Sequence, residues 1–446
     1  MATPADRLLA SLRDTLVKAR ITDDLPVLVA YSGGLDSTVL LWAAHTLWPG
    51  RVKAFHVNHG LQAKAEAWVE HCRLVCQSWN IPLTVSVPTL GTGASVEAQA
   101  RTARYEVFAD ALSDGQRLLL AHHRDDQLET MLFRLVRGSG IDGLAGMPAR
   151  RSLGAGELVR PWLDLPQSEL TAAAEYWRLN WVDDPSNRDR QLERNFIRYE
   201  LMPLLRSRWP SVDDALARSH RHVAVAAQRL NYLDGVQLTQ RLQADGSLDI
   251  KGLSDPIAGI PVLRLWLHRQ GVSLATERQI NHLWDDVVCS ADDAQGLFRR
   301  GPHDVRRHQN RLYVVPRLPP LAINQQSWDP AQDIALSAPA WGVLSCKAVR
   351  SGPRLDQGRL NQALTKAPLQ VRFRQGGEYM HPVGRQGGRD LKRLLQESGL
   401  PPWWRARVPL VYCQDQLIAV ADLLVAQDWQ AEADAVGYQL CWKKPS

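Results

Sequence analysis

Apolar and polar positions follow two rhythms over the first 150 residues. Short apolar runs at Val27–Tyr31, Val52–Val57, Pro82–Val87 and Arg117–His122 alternate with longer amphipathic stretches at Ser37–Leu47, Ala63–Trp79, Ser95–Leu112 and Asp125–Arg137. The runs predict strands and the stretches predict helices, and their alternation predicts βαβ units with a parallel sheet covered on both faces. Such sheets bind ligands at the carboxyl ends of their strands. The turn Ser32–Ser37, the triplet Asn58-His59-Gly60 and the pair His122-His123 each follow a strand, so all three are expected on one rim.

A strand at Leu158–Leu163 and a helix at Pro166–Leu179 extend this unit. A polar turn, Asp183-Asp184-Pro185-Ser186-Asn187-Arg188, precedes a helical stretch from Arg194 to Trp209 that ends at Pro210. A long helical pattern runs from Val212 to Arg241. The region Leu248–Val315 reads as mostly helical, with a strand pair around Asp304–Val315. Pro316–Pro330 is proline-rich and reads as a linker. Short strand-like runs separated by glycines follow, as in a small β-rich or α+β module. The expected division is residues 1–214, 215–335 and 336–446.

Composition narrows the class. No stretch of about 18 apolar residues exists, so no membrane span is expected. The N-terminal segment is amphipathic, carries Asp6 and Asp14 and lacks an apolar core, unlike a signal or transit peptide, so the expected location is cytoplasmic. The six cysteines are too few for a disulfide framework in 446 residues. Cys72 and Cys76 share a helix face without metal-ligating neighbours and are expected in the core. The net charge is +6, and residues 337–446, with 15 basic and 9 acidic side chains, hold the whole excess. A basic terminal module on a neutral body suggests a polyanionic partner. Tryptophans also cluster with arginines there, in Pro401-Pro402-Trp403-Trp404-Arg405-Ala406-Arg407.

The chemistry concentrates in two places. In PVLVAYSGGLDSTVLL, Pro26–Leu41, an apolar run breaks at Ser32-Gly33-Gly34-Leu35-Asp36-Ser37 and passes into a helix. Such a turn presents backbone N–H groups and a helix N-terminus to an anion, and Gly33 and Gly34 are free to take positive φ. It has neither the lysine of GxxxxGK[ST] nor the spacing of GxGxxG, so it handles ATP differently from those loops. Asp36 is out of place beside phosphate unless it holds Mg²⁺ or a cationic substrate group; otherwise it is a first-turn acid favoured by the helix dipole. The second place is Ala121-His122-His123-Arg124-Asp125-Asp126-Gln127-Leu128-Glu129-Thr130, where Asp126 and Glu129 are helical neighbours beside His122. Acids next to histidines on a phosphate rim suit a metal or an amine. His59 is a weaker candidate of the same kind.

SGGLDS after a strand resembles the pyrophosphatase-type loop of the N-type ATP enzymes, among them GMP synthetase, asparagine synthetase, NAD synthetase and the tRNA thiolation enzymes. Together with VNHGL (Val57–Leu61), EAQARTARY (Glu97–Tyr105), HHRDDQLET, RGSGIDGLAGM (Arg137–Met147), DDPSNRDRQLERNFIR (Asp183–Arg198) and the segment Val383–Tyr412, the chain is similar to the tRNA(Ile)-lysidine synthase family. The resemblance implies a Rossmann-like α/β domain with a PP-loop, a mainly helical middle domain and a small α+β C-terminal domain. It implies ATP and Mg²⁺ as cofactors. The expected partners are free L-lysine, the isoleucine tRNA with a CAU anticodon and a second copy in a homodimer. The family adenylylates the oxygen on carbon 2 of the wobble cytidine, releasing pyrophosphate; the lysine ε-amine then attacks carbon 2 and AMP leaves. The product reads AUA as isoleucine.

Carried onto this chain, Ser32, Gly33, Gly34, Leu35, Asp36 and Ser37 bind ATP, with Asp36 the metal candidate. Asp36, His122, Asp126 and Glu129 form the catalytic set, with Asp126 and Glu129 suited to receive the lysine amine. Arg194, Asn195 and Arg198 are expected at the anticodon, unless they form salt bridges to Asp183 or Asp184. Arg389, Lys392, Arg393 and Arg405 are expected at the acceptor side, with Trp403 and Trp404 either stacking on bases or in the core. A tRNA thiolation enzyme and a non-catalytic RNA-binding protein on a nucleotide fold are the alternatives. The first is disfavoured because no CxxC occurs and no cysteine lies near the turn in sequence.

Overall fold

The computed structural model describes residues 3–18, 26–58, 65–88, 96–183, 189–274, 276–290, 296–317, 325–330, 334–335, 342–349, 360–361, 368–432, 435 and 437–444. His59 and Asp184 lie outside them. The chain forms two compact units, Met1–Asn231 and Tyr232–Ser446.

The first unit begins with α1 (Pro4–Lys18), whose Leu8, Leu12 and Leu16 recur every four residues as a fully buried stripe. There follow β1 (Val27–Ala30), α2 (Leu35–Leu47), β2 (Val52–Val57), α3 (Ala65–Ser78), β3 (Leu83–Ser86), α4 (Val96–Ala111), β4 (Arg117–Leu119), α5 (Arg124–Val136), α6 (Ile141–Leu144), β5 (Arg150–Leu153), β6 (Gly156–Val159) and α7 (Gln167–Tyr176). The sheet order is β3-β2-β1-β4-β6-β5. Every pairing is parallel except the edge hairpin of β5 with β6. The parallel α/β expectation therefore holds, with one antiparallel edge. α2 is apolar nearly all round because α1, α7 and the sheet cover it; Val39, Leu40, Leu41, Ala43 and Ala44 are inaccessible. The chain leaves β1 toward β2 on one side and reaches β4 on the other, so the carboxyl ends of β1 and β4 form the switch-point crevice.

Several expected boundaries shift. The strand expected at Leu158–Leu163 ends at Val159 and is preceded by β5, whose Arg150-Arg151-Ser152 lacks a strand-like apolar pattern. The helix expected from Arg194 to Trp209 is built in three pieces: α8 (Glu193–Phe196), a π turn at Ile197–Leu201 and α9 (Met202–Arg208). α10 (Val212–Arg241) forms as expected.

In the second unit, β7 (Leu248–Asp249), α11 (Pro256–Arg269), α12 (Glu277–Leu283), β8 (Leu297–Arg300), β9 (His303–His308) and β10 (Arg311–Pro316) follow one another. The strand pair expected there is half of a four-stranded sheet, β7-β10-β9-β8. α11 and α12 pack on it through Val262, Leu263, Trp266 and Leu283. Residues 325–328 of the expected linker are a strand, β11 (Gln325–Trp328), with Trp328 in the C-terminal core.

β12 (Ile334–Ala335), β13 (Val343–Val349), β14 (Leu369–Arg372), β15 (Tyr379–Met380), β16 (Arg389–Asp390), α13 (Leu391–Glu397), α14 (Pro402–Arg405), β17 (Leu410–Cys413), β18 (Gln416–Val420), β19 (Leu424–Val425) and β20 (Gly437–Lys443) complete an α+β module. Its sheets are β11-β14-β17-β18-β19, β12-β13-β20 and the β15-β16 pair.

Candidate active site

A cleft of about 740 Å³ opens at the carboxyl ends of β1 and β4. On one side lies the glycine turn. Gly33 has φ +85°, and a Cβ there would sit 3.0 Å from the Cys72 Sγ, so both space and backbone demand glycine. Gly34 departs from expectation: its φ is −76°, and it caps α2 in an extended conformation. A Cβ there would make only ordinary contacts, with the Ser32 Oγ at 3.5 Å and the Val182 carbonyl oxygen at 4.0 Å, so neither space nor backbone demands glycine at this position. The turn is braced from inside. The Ser32 N–H donates to the Ser37 Oγ at 3.2 Å, and the Ser37 and Thr38 hydroxyls donate to the Gly34 carbonyl at 3.0 and 2.9 Å. Val182 N–H holds the Gly33 carbonyl at 2.9 Å.

Asp36 stands in the first turn of α2 with Oδ2 3.7 Å from His123 Nε2, while its Oδ1 is buried with no hydrogen-bond partner. An orphaned carboxylate oxygen beside a phosphate turn fits a magnesium ion that takes its other ligands from phosphates and water. Among the described residues, no group of three or more His, Cys, Asp or Glu side chains is arranged to hold a metal by itself.

His123, 1% exposed, joins the two acidic places that the sequence keeps apart. It lies 3.7 Å from Asp125 and 3.4 Å from Asp126, as well as near Asp36. Burial works against its charge, but these carboxylates outweigh burial and push its pKa up to about 10. The imidazolium therefore adds stability in full below its unfolded pKa of about 6.5, and that contribution is lost as pH rises through about 10. His123→Gln should accordingly cost most stability near pH 6, with the deficit shrinking toward pH 10; urea unfolding of both proteins across about pH 6–10 measures it. A deficit independent of pH would assign His123 a packing role.

His122 behaves oppositely. Burial, opposed by Asp126 and reinforced by Arg160, Arg194 and Arg104, brings its pKa down to about 3. Its Nδ1 accepts from Arg160 Nε at 3.1 Å, so the hydrogen resides on Nε2 and the ring is a neutral donor. The same wall is electropositive. Burial favours the neutral Tyr105 phenol, yet Arg101, Arg160 and Arg104 hold its pKa below the ordinary value.

Asp126 lines the cleft; Glu129, 2% exposed, is not among the cleft-lining residues. Arg198, in the π turn, clamps Glu129 through Nε at 2.6 Å and Nη2 at 3.0 Å and reaches Asp126 at 3.3 Å. Burial raises the Glu129 carboxyl in spite of Arg198, whereas the partners of Asp126, led by His123, keep it below its ordinary value against burial. Arg194 donates to Thr130 Oγ1 at 3.1 Å and lies 3.9 Å from Asp126. The salt-bridge partners of both arginines are thus the α5 acids. Asn195 is buried, its amide donating to the Asp189 carbonyl at 2.8 Å.

Of the C-terminal candidates, Lys392 and Arg393 are exposed on α13, with Arg393 3.1 Å from Glu397. Arg389 is half-buried on β16, and Arg405 donates to the Leu400 carbonyl at 2.7 Å. Trp404 is core, edge-on to Trp442, and Trp403 is half-buried against Tyr313. Arg104 and Tyr105 were missed as individuals, and His123 was placed on the rim without its link between Asp36 and the α5 acids. EAQARTARY and HHRDDQLET contain them, but nothing local marks which side chains turn toward the crevice.

The parallel sheet, the lysine-free glycine turn and the acids facing it define a PP-loop ATP-binding enzyme, and the PP-loop domain family matches residues 6–205. The TilS substrate binding domain matches residues 251–313 and the TilS substrate C-terminal domain residues 369–442. A tRNA(Ile)-lysidine synthase of Coxiella burnetii is 38% identical over 428 residues, 94% of this chain and 94% of the relative. The same enzyme of Pectobacterium atrosepticum is 37% identical over 94% of each chain, and that of Serratia proteamaculans 37% over 94% of this chain and 95% of the relative. The chain belongs to the tRNA(Ile)-lysidine synthase family.

Proposed function

We infer that this protein joins lysine to carbon 2 of the wobble cytidine of the CAU-anticodon isoleucine tRNA, consuming ATP and releasing AMP and pyrophosphate. The near full-length identity to tRNA(Ile)-lysidine synthases carries the reading. The cleft supports it chemically. Breaking the α–β bond of ATP makes pyrophosphate the leaving group, and the N–H donors at Ser32–Ser37 suit it. Magnesium bound at Asp36 would neutralise charge developing on the leaving phosphates. The electropositive wall of Arg104 and Arg160 favours anionic substrate groups, with His122 Nε2–H as a neutral donor among them. Asp126 is the carboxylate offered to the lysine ammonium, and it takes up the proton or passes it to solvent as the amine attacks. Glu129 acts behind it, by holding Arg198.

A thiolation chemistry is poorly served. Cys72 lies behind the glycine turn, and burial, with Cys76 nearby, pushes its thiol up to about 12, which keeps it protonated and a poor nucleophile. Incubation with ATP, radiolabelled lysine and total tRNA tests the reading: label that maps to the anticodon supports it, and sulfur transfer or no incorporation rejects it.

The division into 1–214, 215–335 and 336–446 assigns catalysis to the first part and tRNA contact to the other two. Arg194, Asn195 and Arg198 are assigned to the anticodon end, where Arg194, one-third exposed, is the most available. Arg389, Lys392, Arg393 and Arg405 are assigned to the acceptor side. Reversing charge at Lys392 and Arg393 together should raise the tRNA KM about tenfold with kcat retained; unchanged tRNA kinetics at physiological salt would remove that assignment. No described helix is long and apolar enough to cross a membrane. A cytoplasmic location and a homodimer complete the proposal.

A further inference from the structure

The second unit holds a separate cleft of about 490 Å³ where the β8–β10 sheet meets the α14 turn. Four arginines, Arg299, Arg306, Arg317 and Arg407, line it with Trp403 and a single acid, Asp304. Asp304 is 5% exposed and pairs with Arg306 at 2.9 Å and Arg317 at 3.7 Å. Among the lining residues one carboxylate stands against four guanidinium groups. Two donors here are also buried without partners, Arg306 Nε and Trp403 Nε1. Buried donors are nearly always satisfied, so orphaned ones in a cationic cleft indicate a missing acceptor. The Arg306 guanidinium lies 5.7 Å from the Trp403 ring centroid, so charge and an aromatic surface belong to one place.

We propose that this cleft is a phosphate pocket that receives a phosphodiester of the bound tRNA at an unpaired nucleotide. The proposal rests on the tRNA reading given above. Guanidinium forks match phosphate oxygens, and the indole N–H adds a neutral donor. An aromatic surface beside a phosphate site suits a splayed base. The volume is that of a small-ligand pocket, too small for a double helix.

Filter binding of the full chain to tRNA, from about 50 to 200 mM salt, reads the assignment. Arg306→Ala should weaken binding about tenfold and Arg317→Ala about threefold, each making the salt dependence shallower by about one counterion. Arg306→Ala strips Asp304 of a partner and risks misfolding. Arg317, half-exposed, keeps the proposal testable, and thermal melting confirms folding. Wild-type affinity and salt slope in a folded Arg317→Ala variant would overturn the proposal. Equilibrium dialysis with radiolabelled orthophosphate separates the sources: if the variants lose orthophosphate but keep tRNA affinity, the pocket serves a free phosphate compound and the RNA assignment fails. These assays read binding alone, so a wild-type protein that binds tRNA but ligates no lysine would overturn the function reading without touching this one.

Discussion

ATP–pyrophosphate exchange should fall about a thousandfold or more in Asp36→Asn, with the fold intact. Asparagine keeps the volume and the first-turn position on α2 while removing the charge. In the folded protein Asp36 Oδ2 faces His123 at 3.7 Å, and Oδ1 is buried with no partner. A side chain serving only the helix dipole would be solvated and worth about 0.3–1 kcal/mol. A burial that leaves one oxygen empty at the mouth of a phosphate turn has no such explanation. Loss of this charge also lowers the His123 pKa, so a modest melting shift should accompany the substitution, largest below about pH 6.5. Exchange and melting therefore separate the two roles. Near-normal exchange would reduce Asp36 to a dipole-favoured acid, and full loss of exchange with a small melting change would place it at the reacting phosphates. Asp36→Glu, which restores the charge one methylene farther out, should recover part of the exchange.

The rim was legible in the sequence because two local signals coincide. Apolar runs end sharply at Ser32 and His122, and a parallel sheet places such ends together. What joins them was not legible. His123 reaches Asp36 across 87 positions of chain (123 − 36), and Arg198 reaches Glu129 across 69. Periodicity reports which face of a helix is apolar, not which polar residue on a distant helix completes it. The π turn hid the partners of Arg198 further, because an unbroken 3.6-residue pattern from Arg194 does not locate where the helix widens. The β9–β10 pair was legible, but its sheet neighbours β7 (Leu248–Asp249) and β8 (Leu297–Arg300) were not, because two and four residues are too few to show an alternation. Gly34 shows the converse limit: a second glycine in the turn suggests a second positive φ, yet its φ is −76° and the space around it would admit a Cβ.

Arg198→Met should destabilise the protein by about 3–5 kcal/mol at pH 7, the cost of leaving a buried carboxylate without its counter-ion. Glu129 is 2% exposed and takes two hydrogen bonds from Arg198, at 2.6 and 3.0 Å. Methionine retains much of the arginine stem, so little of the loss is packing. The sign of the pH dependence follows from Glu129. Burial already holds its carboxyl above the ordinary value, and removing Arg198 raises it further. The penalty is present while Glu129 is ionised and disappears as pH falls through its raised pKa, so the deficit should shrink as pH is lowered from 7. A pH-independent deficit would mean that packing, not charge, was lost. The double variant Glu129→Gln/Arg198→Met removes both charges and should regain most of the stability, since a neutral pair leaves no buried ion. Asp126 keeps Arg194 and His123 as partners in that variant. Lysine ligation should nevertheless stay at least about a hundredfold down, because Arg198 also lines the substrate cleft. Stability restored without activity would separate what the pair does for the fold from what its arginine does at the reacting groups; activity restored along with stability would show that the pair serves the fold alone.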